Sequence, residues 1–201
     1  LQSVDGNAVD LIIEPSPYFF TNSKSIEMAS NVNLICRGVT FNITIEEKEK
    51  IKDVIVFNGK SNCKITGLNI VTFAKEKDIK DKWEEGQFFA NKSIFAINNS
   101  SKINIDSCKI IRIFGCGVDL NNSYSCIISN SSFIDSWVKG CESGQQGYGI
   151  SINGAFSVAN KILNNDIKDT RHGVVLQYDC YNNIVEGNKV SGSKALKKVL
   201  W

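Results

Sequence analysis

Proline and histidine are scarce in this sequence, which has two prolines and one histidine among 201 residues. Because asparagine, serine, isoleucine and glycine are frequent instead, the composition favours many short strands that turn at polar corners over long helices. A single histidine and the lack of any Cys-X-X-Cys spacing also argue against a structural zinc site. We therefore expect an all-β domain without structural zinc.

Long apolar runs and a strong net charge are lacking as well. No run approaches the roughly 20 apolar residues that a membrane span needs, so no membrane span is predicted. No secretory signal peptide begins the sequence at Leu1, and we expect a processed product or an excised fragment of a longer protein. The formal net charge of +2 offers no bulk attraction to nucleic acid, so no nucleic-acid partner is predicted.

What the sequence does contain is a repeated phrase. It appears as Asn160–Ile167 and again as Asn183–Val190, 23 residues later, with a bend position at Asn165 or Asn188. One apolar residue lies three positions before the bend and another two positions after it, which is strand-like alternation interrupted by one bend. The same template fits four upstream segments, with the bend position at Val39, Leu68, Cys108 and Ser131.

The spacing of the six copies indicates a solenoid. Successive copies are 29, 40, 23, 34 and 23 residues apart, so the minimal rung has 23 residues. Units of short strands at this period bury their apolar sides only by stacking on one another. In the longer rungs the extra sequence precedes the strand that closes the rung, at a position that we call the insertion corner, and insertions collected on one side often form a binding face. The long segments are 42–53, 71–93 and 134–149.

The whole chain is interpreted as one domain, 1–201. Residues 1–30 are expected to form an irregular first turn that caps the stack, and 31–193 are expected to form the rungs. Residues 194–201 are read either as a cap helix or as a truncated end.

Of the seven cysteines, Cys116, Cys141 and Cys180 are placed at corners, where the sequence leaves a disulfide open. The other four occupy template positions and are predicted to be small buried hydrophobes: Cys36, Cys63, Cys108 and Cys126.

The rungs, the Asn at the bend and the opening segment Val9–Phe41 resemble the pectate-lyase-like superfamily. This resemblance covers nearly the whole chain and implies an all-β, single-stranded right-handed parallel β-helix of about six to seven rungs. The superfamily includes polysaccharide lyases, glycoside hydrolases, epimerases, phage tailspikes and adhesins, so the fold alone selects no activity. Asn165 and Asn188 are expected to form a short, purely structural hydrogen-bonded ladder.

The only histidine lies at the insertion corner of a short rung, in the segment 169–173. An imidazole that titrates near neutral pH, a guanidinium suited to a uronate and a carboxylate are the parts needed for proton transfer on a sugar. We predict Asp169, Arg171 and His172 as catalytic residues. The alternative is that His172 is a corner residue that hydrogen-bonds a loop carbonyl.

Polar and aromatic residues of two insertions are candidate substrate-binding residues. Trp137 and Tyr148 would stack on sugar rings or pack under their loop, and Trp83 would meet a ligand or hold its own loop in place. Together with carboxylates and amides, such residues could line a carbohydrate groove. The predicted set is Asp135, Trp137, Lys139, Glu142, Gln145, Tyr148 and Trp83.

Two functions follow from these observations. The first is an enzyme, a lyase, epimerase or glycoside hydrolase, that acts on an acidic polysaccharide; the second is a non-catalytic surface or tailspike-like module that binds glycans. The motifs of polygalacturonase-like hydrolases and the Asp-Pro-His of alginate epimerases are absent, as is an acidic calcium cluster. No cofactor is predicted; a calcium ion is compatible with the fold, but nothing in the sequence indicates one. A polysaccharide or glycan partner, a monomer or homotrimer, and an extracellular, cell-surface or virion-surface location are expected.

Overall fold

Three parallel sheets run through the part of the chain that the computed structural model describes, namely residues 8–47, 50–75, 77, 80–81, 91–136 and 147–192. Sheet A contains β1 (Val9–Ile12), β4 (Val32–Ile35), β7 (Ser61–Thr66), β10 (Ser101–Asp106), β13 (Ile127–Ser129), β16 (Lys161–Leu163) and β19 (Ile184–Glu186). Sheet B contains β2 (Pro17–Thr21), β5 (Thr40–Ile45), β8 (Asn69–Ala74), β11 (Lys109–Ile113), β14 (Ser132–Ser136), β17 (Asp166–Lys168) and β20 (Lys189–Ser191). Sheet C contains β3 (Ile26–Glu27), β6 (Ile55–Asn58), β9 (Ser93–Asn98), β12 (Cys116–Asn121), β15 (Tyr148–Asn153) and β18 (His172–Gln177).

Each turn of the chain adds one strand to sheet A, one to sheet B and one to sheet C, so that neighbours within a sheet belong to successive rungs. The described residues form seven, seven and six strands in the three sheets, which confirms the prediction of an all-β parallel solenoid with six to seven rungs. Within the same residues, no helix is long and apolar enough to cross a membrane.

The core consists of apolar side chains stacked in register. Ile65, Ile105, Ile128 and Ile162 pair strand by strand along sheet A and are fully buried.

The four cysteines predicted to lie in the core are buried free thiols, as expected. Burial raises the pKa of the Cys108 thiol to about 12, so this group is inert near neutral pH. Cys180 is also a free thiol, Cys116 is buried, and Cys141 lies outside the described residues.

The bend between sheets A and B has a constant backbone geometry. The residue before each bend position is left-handed, with φ between +50° and +75°, which glycine, asparagine and serine tolerate better than branched residues. At the bend itself, Asn165 Oδ1 accepts the Ser131 N–H at 3.0 Å and Asn188 Oδ1 accepts the Asn165 N–H at 2.9 Å. The expected asparagine ladder is therefore present, and Ser131 Oγ extends it by accepting the Cys108 N–H at 3.0 Å.

The first rung differs from the sequence-based expectation. Strands β1, β2 and β3 pair in parallel with β4, β5 and β6, so residues 9–27 form a regular rung rather than an irregular turn. The first bend is also longer than the template allows, because Leu34, and not Cys36, pairs with Ile65. Cys36 matched the template only because it is apolar; the two additional residues of the bend shift it out of that column.

The insertion corner lies between sheets B and C, where chain segments of different length join β5 to β6, β8 to β9 and β14 to β15. This placement of the long insertions is as predicted.

The corner between sheets C and A, which we call the return corner, carries smaller additions that the sequence did not reveal. Nine residues lie between the last residue of the sheet C strand and the next bend position after Asn58, Asn98 and Asn121. Eleven lie between them after Asn153, and ten after Gln177.

Candidate functional site

Two of the three predicted catalytic residues meet a predicted substrate-binding residue where sheet C begins. Tyr148 and His172 are register partners on adjacent strands, with ring centroids 5.4 Å apart. The Arg171 guanidinium carbon lies 5.8 Å from the centroid of the Tyr148 ring, within the range of a cation–π contact. The Arg171 N–H donates to the Gly147 carbonyl at 2.8 Å, which fixes the backbone beside the cluster.

Burial and charge both act on the imidazole. Desolvation lowers the pKa of His172, and the neighbouring positive charge of Arg171 lowers it further. The neutral imidazole therefore dominates at pH 7, which suits a proton acceptor better than a proton donor. Arg171 itself is only 7% exposed.

Asp135 and Asp169 occupy equivalent places in adjacent rungs, each one residue beyond the paired positions of β14 and β17. Both have left-handed backbones, with φ of +62° and +52°. Asp169 is exposed, and its Oδ1 lies over Gly192 of the following rung, where a Cβ would otherwise be. The joint action of Asp169 with Arg171 and His172 stays a prediction.

The remaining sequence-predicted substrate-binding residues, Trp83, Trp137, Lys139, Glu142 and Gln145, lie outside the described residues. Their participation in the site therefore stays a prediction.

The structure adds a carboxyl group that the sequence did not single out. Asp119 is in the middle of β12 on the outer face of sheet C, partly buried, in register with Ser151. Asn153 Nδ2 donates to Asp119 Oδ1 at 2.5 Å and to Ser151 Oγ at 2.7 Å, so the amide holds both side chains. Desolvation raises the pKa of the Asp119 carboxyl; hydrogen bonds from Asn153 and Ser151 oppose this effect, and the charge of Asp53 adds to it.

Asp53, just before β6 at the insertion corner, is a second carboxylate whose charge acts on Asp119. Its Oδ1 accepts the Ser93 N–H at 2.7 Å, and its Oδ2 lies 3.9 Å from the Lys92 ammonium nitrogen. The two carboxyl groups thus have unlike surroundings, since Asp53 has a cation beside it whereas Asp119 is desolvated and has only neutral hydrogen-bond donors. Two carboxyl groups in such different environments are the usual basis of an acid and base pair.

The alternation of residues in the closing strands places Asp119 opposite the core, but does not mark it as a functional residue. Each sheet C strand has a residue between two core residues that points away from the core: Glu27, Val56, Ala96, Asp119, Ser151 and Val175. Glu27 and Asp119 are the charged members of this row. Its proximity to Asn153 becomes visible only when the rungs are stacked, because the two residues are 34 positions apart in the chain.

The described residues contain no group of three or more His, Cys, Asp or Glu side chains that could hold a metal ion.

Parallel rungs stacked into three sheets define the chain as a β-helix protein. Residues 93–196, more than half of the chain, match the family described as "Right handed beta helix region". The protein belongs to this right-handed β-helix family, which confirms the handedness that the resemblance implied. Its narrower placement in the pectate-lyase-like superfamily stays a prediction.

The similarity to known proteins lies in the fold. No curated protein matches the chain. Among solved structures, the chain is similar to the crystal structure of "a putative glycosyl hydrolase" from Parabacteroides merdae, with a TM-score of 0.64 and 13% sequence identity. The match covers 91% of this chain and 81% of the other. At this identity the match establishes a shared architecture.

Proposed function

We propose that the protein binds and cleaves a polysaccharide on the outer face of sheet C, beside the insertion corner. The observation that carries the proposal is the Asp119 carboxyl, which Asn153 holds on this face and on which the charge of Asp53 acts. The Tyr148–His172 pair at the start of the same sheet adds a flat aromatic surface and a neutral imidazole. The architecture shared with a protein described as a glycosyl hydrolase is consistent with this function.

The chemistry follows from the protonation states. Asp119, whose pKa is raised, donates its proton to the glycosidic oxygen as the bond from that oxygen to the anomeric carbon breaks. Water attacks the anomeric carbon and gives up a proton to a basic group at the start of sheet C, either the Asp53 carboxylate or neutral His172. The products are a new reducing end and a new hydroxyl, so no oxidant or further reactant is needed.

The acidic character of the glycan is the part of the sequence prediction with the least support. Arg171 was expected to neutralise a uronate, but its guanidinium is almost fully buried and lies against Tyr148. We therefore extend the proposal to polysaccharides in general and leave the choice between uronate and neutral sugar to experiment. The location outside a cell or on a virion, and the monomeric or homotrimeric state, are part of the same proposal.

A panel of neutral and uronate polysaccharides tests the proposal. New reducing ends without unsaturated products are expected for at least one substrate, and Asp119→Asn should lower their release at least 100-fold. Asp10→Asn, an exposed carboxylate on sheet A, is the matched control and should retain full activity. Unsaturated products would instead indicate a lyase, and full activity of Asp119→Asn would refute the assigned role.

The runner-up function is a glycan-binding module without catalysis. A separate feature favours it: several aromatic side chains are exposed at the return corner. Binding of a polysaccharide with neither new reducing ends nor unsaturated products would establish this alternative.

A further inference from the structure

The return corner of the last three rungs carries four exposed aromatic residues, which we call the aromatic patch: Tyr124, Phe156, Tyr178 and Tyr181. Tyr178 is 74% exposed and Phe156 is 72% exposed, whereas the other two are about half exposed. Aromatic side chains normally bury most of their surface. A group of four on one corner of successive rungs therefore marks a surface suited to a ligand.

The patch coincides with the small additions to the return corner. The connection after Asn153 is two residues longer than those of the preceding rungs and contains Phe156, and the connection after Gln177 is one residue longer and contains Tyr178. In a solenoid, residues added to a repeat leave the stack as surface loops, and such loops often form the binding face. The two lengthened connections here bring large rings to the surface rather than only polar turn residues.

The backbone at Tyr178 is strained relative to its equivalents. Its φ is +58°, and the equivalent residues of the other rungs are also left-handed: Gly59, Asn99, Asn122 and Gly154. Glycine and asparagine adopt this conformation at little cost, but a bulky aromatic residue does so rarely. Because the Tyr178 ring is mostly exposed, packing does not compensate for the strain.

A row of amide side chains leads to the aromatic patch along the end of sheet C. The final residues of five successive strands pair in register, and all are amides: Asn58, Asn98, Asn121, Asn153 and Gln177. Neighbours in this amide row are about 4.8 Å apart, the spacing of adjacent strands. Each amide offers both donors and an acceptor. Asn153 Nδ2 is already used, because it donates to Asp119 Oδ1 and Ser151 Oγ, so the other four amides supply the contacts to a ligand.

We propose that the amide row and the aromatic patch form a second subsite that binds a neutral polysaccharide chain lying along the axis of the β-helix. Sugar hydroxyls would bond to the amides, and the apolar faces of pyranose rings would stack on Tyr178 and Phe156. The sugar is neutral because the row contains only uncharged amides, whereas a uronate favours cationic partners. The inference takes the polymeric substrate from the proposed function but does not depend on cleavage.

Binding measured without cleavage tests the subsite. Affinity electrophoresis in gels that contain neutral or uronate polysaccharides is run on the Asp119→Asn protein, which is expected to be inactive. Retardation by at least one neutral polysaccharide is expected. Adding Tyr178→Asn and Phe156→Ser should weaken that binding about tenfold or more. The melting temperature should not fall, because asparagine suits the left-handed backbone at position 178.

Phe19→Ser is the matched control, since Phe19 is 77% exposed on the first rung and far along the stack from the patch. It should leave the binding unchanged. Unchanged binding in the Tyr178→Asn, Phe156→Ser variant would overturn the inference, and so would retardation by uronate polysaccharides alone or by none of the panel. Light scattering tests whether a second copy of the chain occupies the patch instead. A dimer that the Tyr178→Asn, Phe156→Ser variant disrupts and Phe19→Ser does not would show this and overturn the inference.

Failure of this inference is distinguishable from failure of the proposed function. If the patch variant loses binding while Asp119→Asn alone retains cleavage, the subsite stands and the catalytic assignment falls. If the patch variant binds normally while Asp119→Asn abolishes cleavage, the catalytic assignment stands and the subsite falls.

Discussion

Two carboxyl groups on the outer surface of the β-helix experience opposite environments. Burial raises the pKa of Asp119, and the neutral donors around it compensate only in part. Burial would also raise the pKa of Asp106, but side-chain hydrogen bonds from Asn130, Ser129 and Ser107 outweigh it and lower the pKa overall. Both residues lie on regular strands, and apart from Ser107 the groups that bond to them come from neighbouring rungs.

Asp119→Asn is therefore expected to raise the melting temperature at pH 7, because it removes a charge whose burial is unfavourable. The folded protein binds the Asp119 proton more tightly than the unfolded chain does, so the carboxyl stabilises the fold at low pH and loses this effect as pH rises through its raised pKa. The gain from Asp119→Asn should therefore shrink towards pH 4. Thermal melts of both proteins between pH 4 and pH 8 measure this dependence.

Asp106→Asn is the contrasting variant. Its carboxylate is stabilised by hydrogen bonds in the folded state, so the substitution should lower the melting temperature at pH 7. The loss should become smaller as pH falls through the lowered pKa. Equal shifts in the two variants, or shifts independent of pH, would contradict the assigned environments.

Three glycines at the start of the sheet C strands are required by close packing: Gly117, Gly149 and Gly173. A Cβ added at Gly117 would lie 2.5 Å from the Gly149 carbonyl oxygen and 2.6 Å from the Phe133 ring. Gly117→Ala should therefore destabilise the protein by about 1–3 kcal/mol in urea unfolding. Gly59→Asn is the control, because nothing lies within 4 Å of its Cβ position and asparagine tolerates its positive φ. An unchanged free energy of unfolding in Gly117→Ala would show that the sheets can separate locally.

At the scale of elements, side-chain ladders join the corners of successive rungs. Beside the asparagine ladder at the bend, the return corner has a serine ladder in which Ser100 Oγ accepts the Lys60 N–H and Ser123 Oγ accepts the Ser100 N–H, each at 3.0 Å. A second asparagine ladder runs there through Asn160 and Asn183. These bonds satisfy backbone groups that the irregular corners would otherwise leave unpaired.

Asn165→Ala should destabilise the β-helix by about 1–3 kcal/mol, since it leaves the buried Ser131 N–H and the Ile128 carbonyl without their side-chain partner. Asn165→Ser should recover part of the loss, because serine occupies the same place in the preceding rung at position 131 and accepts a backbone N–H there. Urea unfolding of the three proteins provides the comparison. Equal losses for alanine and serine would mean that packing, and not the hydrogen bond, determines the effect.

The sequence predicted these elements unevenly, for physical reasons. The bend was found because apolar residues flank Asn165 and Asn188 at fixed distances. The serine ladder was not, because Ser100 and Ser123 resemble ordinary turn residues until the rungs are stacked. The first bend was misaligned because Cys36 is as apolar as Leu34, the residue that actually pairs with Ile65.

Some residues of the candidate site were also predicted from the sequence, and others were missed. Tyr148 and His172 were both named from the sequence, and the structure makes them register partners. Asp119 was missed because its partners come from other rungs: Asn153 holds its carboxyl and Asp53 acts on its charge. A local motif cannot encode a site whose members are brought together only by stacking.

At the scale of the whole molecule, a solenoid is stabilised rung by rung, because each rung contacts only its neighbours. The strands β19 and β20 are exposed along their whole length, whereas the central strands are largely buried. Hydrogen exchange should therefore be slowest at the amides of β10 and β12 and fastest at those of β19 and β20 among the strands. Uniform protection along the stack would contradict this rung-by-rung account.

The central claim is that a polysaccharide is cleaved on the outer face of sheet C with Asp119 as the proton donor. A crystal structure of the Asp119→Asn protein with an oligosaccharide from the best substrate tests it most directly. The account predicts a sugar chain along sheet C, with a glycosidic oxygen within hydrogen-bond distance of the side chain at position 119. A sugar chain bound across sheet A or sheet B instead would contradict the claim.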